Sequence, residues 1–161
     1  MANITPRHIE HVGIIVSDMD RSIDFYCNVL GFDLSQRVDL CTGETVEKGV
    51  GIPGAALQLA HLKLGNSPTL IELLCYINPK SKPMPDDAKS NDIGVGHVAF
   101  NVDEPEAYYE MLVSKGVKFI SPGVMNSSTG EKFCYFYDPD GAVLEFIRPP
   151  EGALKDLSEE K

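Results

Sequence analysis

The feature that most constrains this chain is an imperfect internal repeat. His11-Val12-Gly13-Ile14-Ile15-Val16 can be laid over His97-Val98-Ala99-Phe100-Asn101-Val102. In both copies the residues one, three and five places after the histidine are large and apolar. A strand in that pattern buries one face against a helix and leaves the histidine on the other, beside Gly13 and Ile15 or beside Ala99 and Asn101.

The segment after each strand repeats as well. Ser17-Asp18 in the first copy, and Asp103 with Pro105 in the second, are helix-start signals. The stretch from Met19 to Leu30 carries Ile23, Tyr26, Cys27 and Leu30 at helical spacing before Gly31, and Ala107, Tyr108, Met111 and Leu112 precede Gly116. The pattern then switches to short strands, predicted over Phe32 to Val38, Ala56 to Leu64 and Thr69 to Tyr76, and again over Val117 to Ser121, Phe133 to Asp138 and Ala142 to Ile147. Gly65-Asn66-Ser67-Pro68 and Asp138-Pro139-Asp140-Gly141 supply the tight turns. Each half therefore reads as strand, helix and three strands, an α+β fold of two βαβββ modules.

A proline-bearing stretch, Asn78 to Asp87, separates the halves. The expected organisation is one domain over 7–149, with a first module over about 7–77, a linker over 78–92 and a second module over 93–149. A charged tail over 150–161, with room for a short terminal helix, completes it. The length of 161 residues and 43% hydrophobic content suit one compact domain.

Charge and targeting narrow the function. A net charge of −10 disfavours nucleic acid and anionic membrane surfaces as partners. No apolar run approaches a membrane span, and the N-terminal residues lack the apolar core of a secretory signal, so the expected location is cytoplasmic. Cys27, Cys41, Cys75 and Cys134 form no C-x-x-C pair and read as reduced, buried thiols, with Cys27 and Cys75 in core patterns.

The last strand of each module holds an acid in an apolar setting: Leu70-Ile71-Glu72-Leu73-Leu74 and Val143-Leu144-Glu145-Phe146-Ile147. An ionised carboxylate there must be exposed, paired with a cation or bound to a metal. Singly, a histidine opening a strand or a glutamate within one has an ordinary structural explanation. Their matched recurrence sets them apart: His11 opens the first module and Glu72 closes it, and His97 and Glu145 do the same in the second. Two imidazoles and two carboxylates suit one divalent ion, Zn²⁺, Ni²⁺, Co²⁺, Mn²⁺ or Fe²⁺, with positions left for water or substrate. Asn101, on the face of His97, and Tyr76, on the face of Glu72, are the candidate substrate contacts. His8 and His61 are read as ordinary residues and excluded as ligands.

The run His-Val-Gly-Ile-x-Val-x-Asp-x-x-Arg-Ser-Ile-Asp-Phe-Tyr from His11 to Tyr26, followed by Leu30-Gly31-Phe32, resembles the vicinal-oxygen-chelate superfamily of glyoxalase I and methylmalonyl-CoA epimerase. Gly96 to Phe100, Asp138 to Gly141 and Leu144-Glu145-Phe146 resemble its second module, so the similarity covers about Ile9 to Pro149. The resemblance implies a cupped mixed sheet around a metal held by His11, Glu72, His97 and Glu145, and a homodimer. The implied chemistry is that of a lyase or isomerase: electrophilic help from the metal toward an enediolate or enolate, with a carboxylate moving the proton, Glu145 as first choice and Glu72 as second.

Departures from the pattern fall at single positions. Bacterial glyoxalase I proteins carry an Arg four residues after the first metal His and an Asn four after the first metal Glu, both holding glutathione; here these are Ile15 and Tyr76. The epimerases show a His-His pair where this chain has Gly96-His97, and Gln58, near the place of a second base, takes no proton at neutral pH. An extradiol dioxygenase would need a His where Ser127, Ser128 and Thr129 stand. A non-catalytic small-molecule binder of the same fold is the alternative of another class, and such proteins often lose metal ligands that are all present here.

Overall fold

The structure, a computed structural model, describes residues 5–85, 87–150 and 152. Apart from Pro150 and Gly152, the charged tail and its candidate helix lie outside the described residues. The chain divides between Met84 and Pro85 into two compact units.

The first unit runs β1 (His11–Ile15), α1 (Met19–Asp24), a π-helical segment Phe25–Val29, β2 (Asp33–Cys41), α2 (Glu44–Val50), β3 (Ala56–Lys63) and β4 (Leu70–Asn78). Its sheet has the order β1-β4-β3-β2, with β1 parallel to β4 and the other pairs antiparallel. The second unit runs β5 (His97–Asn101), α3 (Pro105–Ser114), β6 (Met125–Asn126), β7 (Lys132–Tyr137) and β8 (Val143–Arg148), in the order β5-β8-β7-β6 with β5 parallel to β8. The fold is α+β, two four-stranded mixed sheets each built on the expected strand-helix-strands grammar.

Local chemistry explains the helices. Asp18 caps α1, its Oδ1 accepting from the Arg21 backbone N–H at 3.0 Å. The helix lays Met19 and Ser22 on β3 and β4, the π segment that continues it buries Tyr26, and the chain turns at Gly31, whose φ of 86° suits glycine. Proline opens α3, which packs on β7 and β8. In β4 the alternation is plain: Ile71, Leu73 and Cys75 are buried toward the helix, while Leu70, Glu72, Leu74 and Tyr76 form the opposite, half-buried face.

Three expectations need correction. The helix over Met19 to Leu30 is α-helical only to Asp24 and continues as the π segment. Val117 to Ser121 is not a strand: the N–H groups of Ile120 and Ser121 both donate to the Tyr135 carbonyl, so pairing shrinks to a bridge between Phe119 and Phe136, and Pro122 follows. The strand beside β7 is instead the short β6. Finally, α2 has no counterpart among the expected elements, because it buries no residue and so carries no apolar period. All four cysteines are free thiols, as expected; Cys75 and Cys134 are buried, while Cys27 and Cys41 are only partly so.

Candidate metal-binding half-sites

Each unit brings its histidine and glutamate together. In the first, parallel pairing sets His11 opposite Leu70 and Gly13 opposite Glu72. His11 Nε2 lies 3.3 Å from Glu72 Oε2. In the second, the same pairing sets His97 opposite Val143 and Ala99 opposite Glu145, and His97 Nε2 lies 3.0 Å from Glu145 Oε2. Both acids are sheltered, with side chains 14% and 8% exposed. Such groups need compensation by a hydrogen-bond donor or a cation.

The surroundings of the two couples differ. His11 Nδ1 contacts the Glu10 carboxylate, which turns Nε2 toward Glu72. That hydrogen bond, then the charge of Glu72, raises the His11 pKa against the opposing effect of burial. On the other side of Glu72, His61 Nε2 donates to Oε1 at 3.0 Å. His11 and His61 thus flank one carboxylate, their rings 6.2 Å apart. At Glu145 the corresponding neighbour is Tyr135, whose hydroxyl donates to the acid and whose ring meets His97 edge-on at 5.1 Å. Burial, and then the negative charge of Glu145, push the Tyr135 phenol up, so it stays a donor at neutral pH.

Among the described residues, no group of three or more His, Cys, Asp or Glu is arranged to hold a metal ion. The donor pairs are nonetheless of the right kind. Two ligands of one ion, each about 2.0–2.2 Å from it, are separated by about 3.0–3.5 Å, and the two His–Glu separations are 3.3 and 3.0 Å. A histidine with its second ring nitrogen on a carboxylate, as His11 has on Glu10, is also the usual outer arrangement of a metal-binding imidazole.

The candidate substrate contacts stand further off. Tyr76 is four residues along β4 from Glu72 and half-buried, and Asn101 is four along β5 from His97 and exposed. At strand rise each is about 13 Å along its strand from the couple. Glu10 and Tyr135 are site neighbours that sequence reasoning passed over, and His61, read there as an ordinary strand residue, stands against Glu72. The signal for His61 was present: counting outward from the turn Gly65 to Pro68 pairs 61 with 72, the observed register.

Two sheets of one topology, each with a histidine–glutamate couple across its parallel strand pair, define a paired βαβββ protein. The chain belongs to the Glyoxalase/Bleomycin resistance protein/Dioxygenase superfamily, whose model matches residues 8–146. It is 29% identical over 152 residues to a 2-epi-5-epi-valiolone epimerase of Actinomyces, covering 90% of this chain and 81% of the relative. It is 28% identical over 149 residues to a probable lactoylglutathione lyase of Synechocystis, covering 86% of this chain and 92% of the relative. The crystal structure of a glyoxalase family protein from Bacillus cereus superposes with a TM-score of 0.81 at 21% identity, covering 92% of this chain and 97% of that one. No helix among the described residues is long and apolar enough to cross a membrane.

Proposed function

We propose that this protein is a divalent-metal-dependent lyase or isomerase that moves a proton at a carbon beside a carbonyl of a small oxygenated substrate. The observation that carries this reading is the matched pair of couples, His11 with Glu72 and His97 with Glu145, at 3.3 and 3.0 Å. These four residues would hold the ion, one of Zn²⁺, Ni²⁺, Co²⁺, Mn²⁺ or Fe²⁺. When bound, it supplies electrophilic stabilisation of negative charge developing on substrate oxygens.

The chain's own residues carry the rest. Glu145 takes and returns the proton, with Tyr135 and His97 fixing its orientation. Glu72, with an imidazole at each oxygen, is the second choice for that role. Tyr76 and Asn101 serve as outer substrate contacts on the same strand faces. Ile15 and Tyr76, standing where glutathione would be anchored, favour a substrate other than a glutathione adduct, while the relatives include both a 2-epi-5-epi-valiolone epimerase and a probable lactoylglutathione lyase. The protein is read as a cytoplasmic homodimer with no nucleic-acid or membrane partner.

The test is metal analysis of the purified chain and of Glu145→Gln, followed by turnover on methylglyoxal hemithioacetal, methylmalonyl-CoA and 2-epi-5-epi-valiolone. Stoichiometric metal in both, with turnover of one substrate lost only in the variant, is expected. Wild-type chain that takes up no metal after reconstitution with each of the five ions refutes the reading and leaves a non-catalytic binder.

A further inference from the structure

Glu72 is held more completely than a plain metal ligand requires. One oxygen faces His11 and the other faces His61, and the latter contact is the shorter, 3.0 Å against 3.3 Å. His61 reaches the acid because the β3–β4 register places it directly opposite. Its backbone is tied from the other side as well, the Ser35 hydroxyl donating to the His61 carbonyl at 2.9 Å. In the second unit the register partner of Glu145 is Tyr135, which also bonds its acid. An imidazole and a phenol share little except a hydrogen-bond donor at the tip of a rigid ring. Their occurrence at one structural position beside both acids indicates that the position supplies a donor to the carboxylate.

We propose that His61 is a positioning residue for Glu72. Its Nε2–H holds Oε1, which fixes the carboxylate rotation and leaves Oε2 turned to His11 for the ion. Glu72 then binds through one oxygen. Of the two residues directly across from Glu72, Gly13 on β1 has no side chain, so His61 on β3 is the register partner that reaches the acid. The inference rests on the proposed function, in which Glu72 and His11 ligate a metal.

The experiment is Co²⁺ titration of the full chain, followed by its visible ligand-field absorption, for wild type, His61→Gln, His61→Leu and His61→Ser, with His11→Ala as a control that loses a ligand. Glutamine keeps an N–H near the place of Nε2, leucine fills the volume without a donor, and serine is too short to reach. Expected is a loss of Co²⁺ affinity of about 10- to 100-fold in the leucine and serine variants, rescue to within about threefold by glutamine, and unchanged band positions at saturation. Metal-free melting curves identify any variant that fails to fold, and the serine variant then stands in for the leucine one. Wild-type affinity in folded His61→Leu or His61→Ser overturns the proposal while leaving the metal reading intact. Shifted bands in the glutamine variant, as in His11→Ala, overturn it by making His61 a ligand. A wild-type chain that binds no Co²⁺ or other divalent ion overturns both.

Discussion

Gly13 offers a graded probe of the first half-site. It sits across from Glu72, and a Cβ built there would lie 3.3 Å from Leu74 Cδ1 and 3.9 Å from Glu72 Oε2. For Gly13→Ala, the loss of glycine freedom in the unfolded chain stabilises by about 0.4–1 kcal/mol. The contact with Leu74 is a few tenths of an ångström tighter than van der Waals distance, and it meets the end of a flexible, half-buried side chain. The net effect is a melting temperature raised by about 1–4 °C, with metal affinity unchanged. Ala99, opposite Glu145, is the chain's own precedent for a Cβ at this place. For Gly13→Val the two branches extend about 1.5 Å beyond Cβ, and at least one is driven toward Leu74 or Oε2. The carboxylate must then turn, and Co²⁺ affinity falls by at least about tenfold in a chain that still melts cooperatively. Differential scanning calorimetry and Co²⁺ titration read the two quantities separately. Undiminished affinity in Gly13→Val would refute the argument, as would equal losses in both variants, because the second result would locate the effect in the backbone.

Tyr108 is pushed up to about 12 by burial, its ring edge-on to Phe146 at 5.3 Å. The folded state therefore holds the phenolic proton more tightly than the unfolded one. That stability is complete below the unfolded value near 10 and is lost as pH rises toward 12, by up to about 2–3 kcal/mol. Urea midpoints taken between pH 9 and 11.5 should fall, and the fall should be smaller in Tyr108→Phe. Leu73 is fully buried, opposite Ile14 on one side and Ala60 on the other. Leu73→Ala should lower unfolding free energy by about 2–5 kcal/mol with an unchanged denaturant slope, and a cost under about 1 kcal/mol would show that the sheet and α1 close over the gap.

The repeat made the fold legible, because it fixed two units of one grammar before any strand had to be placed exactly. Apolar alternation identified the buried faces of β1, β4 and β5, each of which buries one side, whereas β8 is buried on both faces from Val143 to Phe146. Where no face is buried, the signal fails. The exposed α2 left no period to read, and Val117 to Ser121 looked like a strand because composition does not reveal that two successive N–H groups share the Tyr135 carbonyl. At the site, His11, Glu72, His97 and Glu145 stood out as a repeated set, and the structure brings them together in pairs. His61 was set aside as an ordinary strand residue, and Tyr135 was not considered, because each differs from its counterpart in the other unit. A search for identity between the halves finds what the repeat keeps and passes over what it has varied.

That variation bears on which acid does the chemistry. Glu72 has an imidazole at each oxygen and, beyond His11, the carboxylate of Glu10. Glu145 has one imidazole, one phenol, and Gly96 in the place of Glu10. A carboxylate that relays a proton must change partners during the reaction, and an acid tied at both oxygens to cross-strand rings does this less readily than one tied to a single imidazole and a neutral hydroxyl. On the proposed reading, the first unit is the rigid half that keeps the ion and the second is the half that reacts. The expected outcome is that Glu72→Gln loses metal and turnover together, whereas Glu145→Gln keeps the metal and loses turnover, as metal analysis and turnover assays of the two variants would read. The reverse pattern would move the base to the first unit and leave His61 restraining the group that has to move.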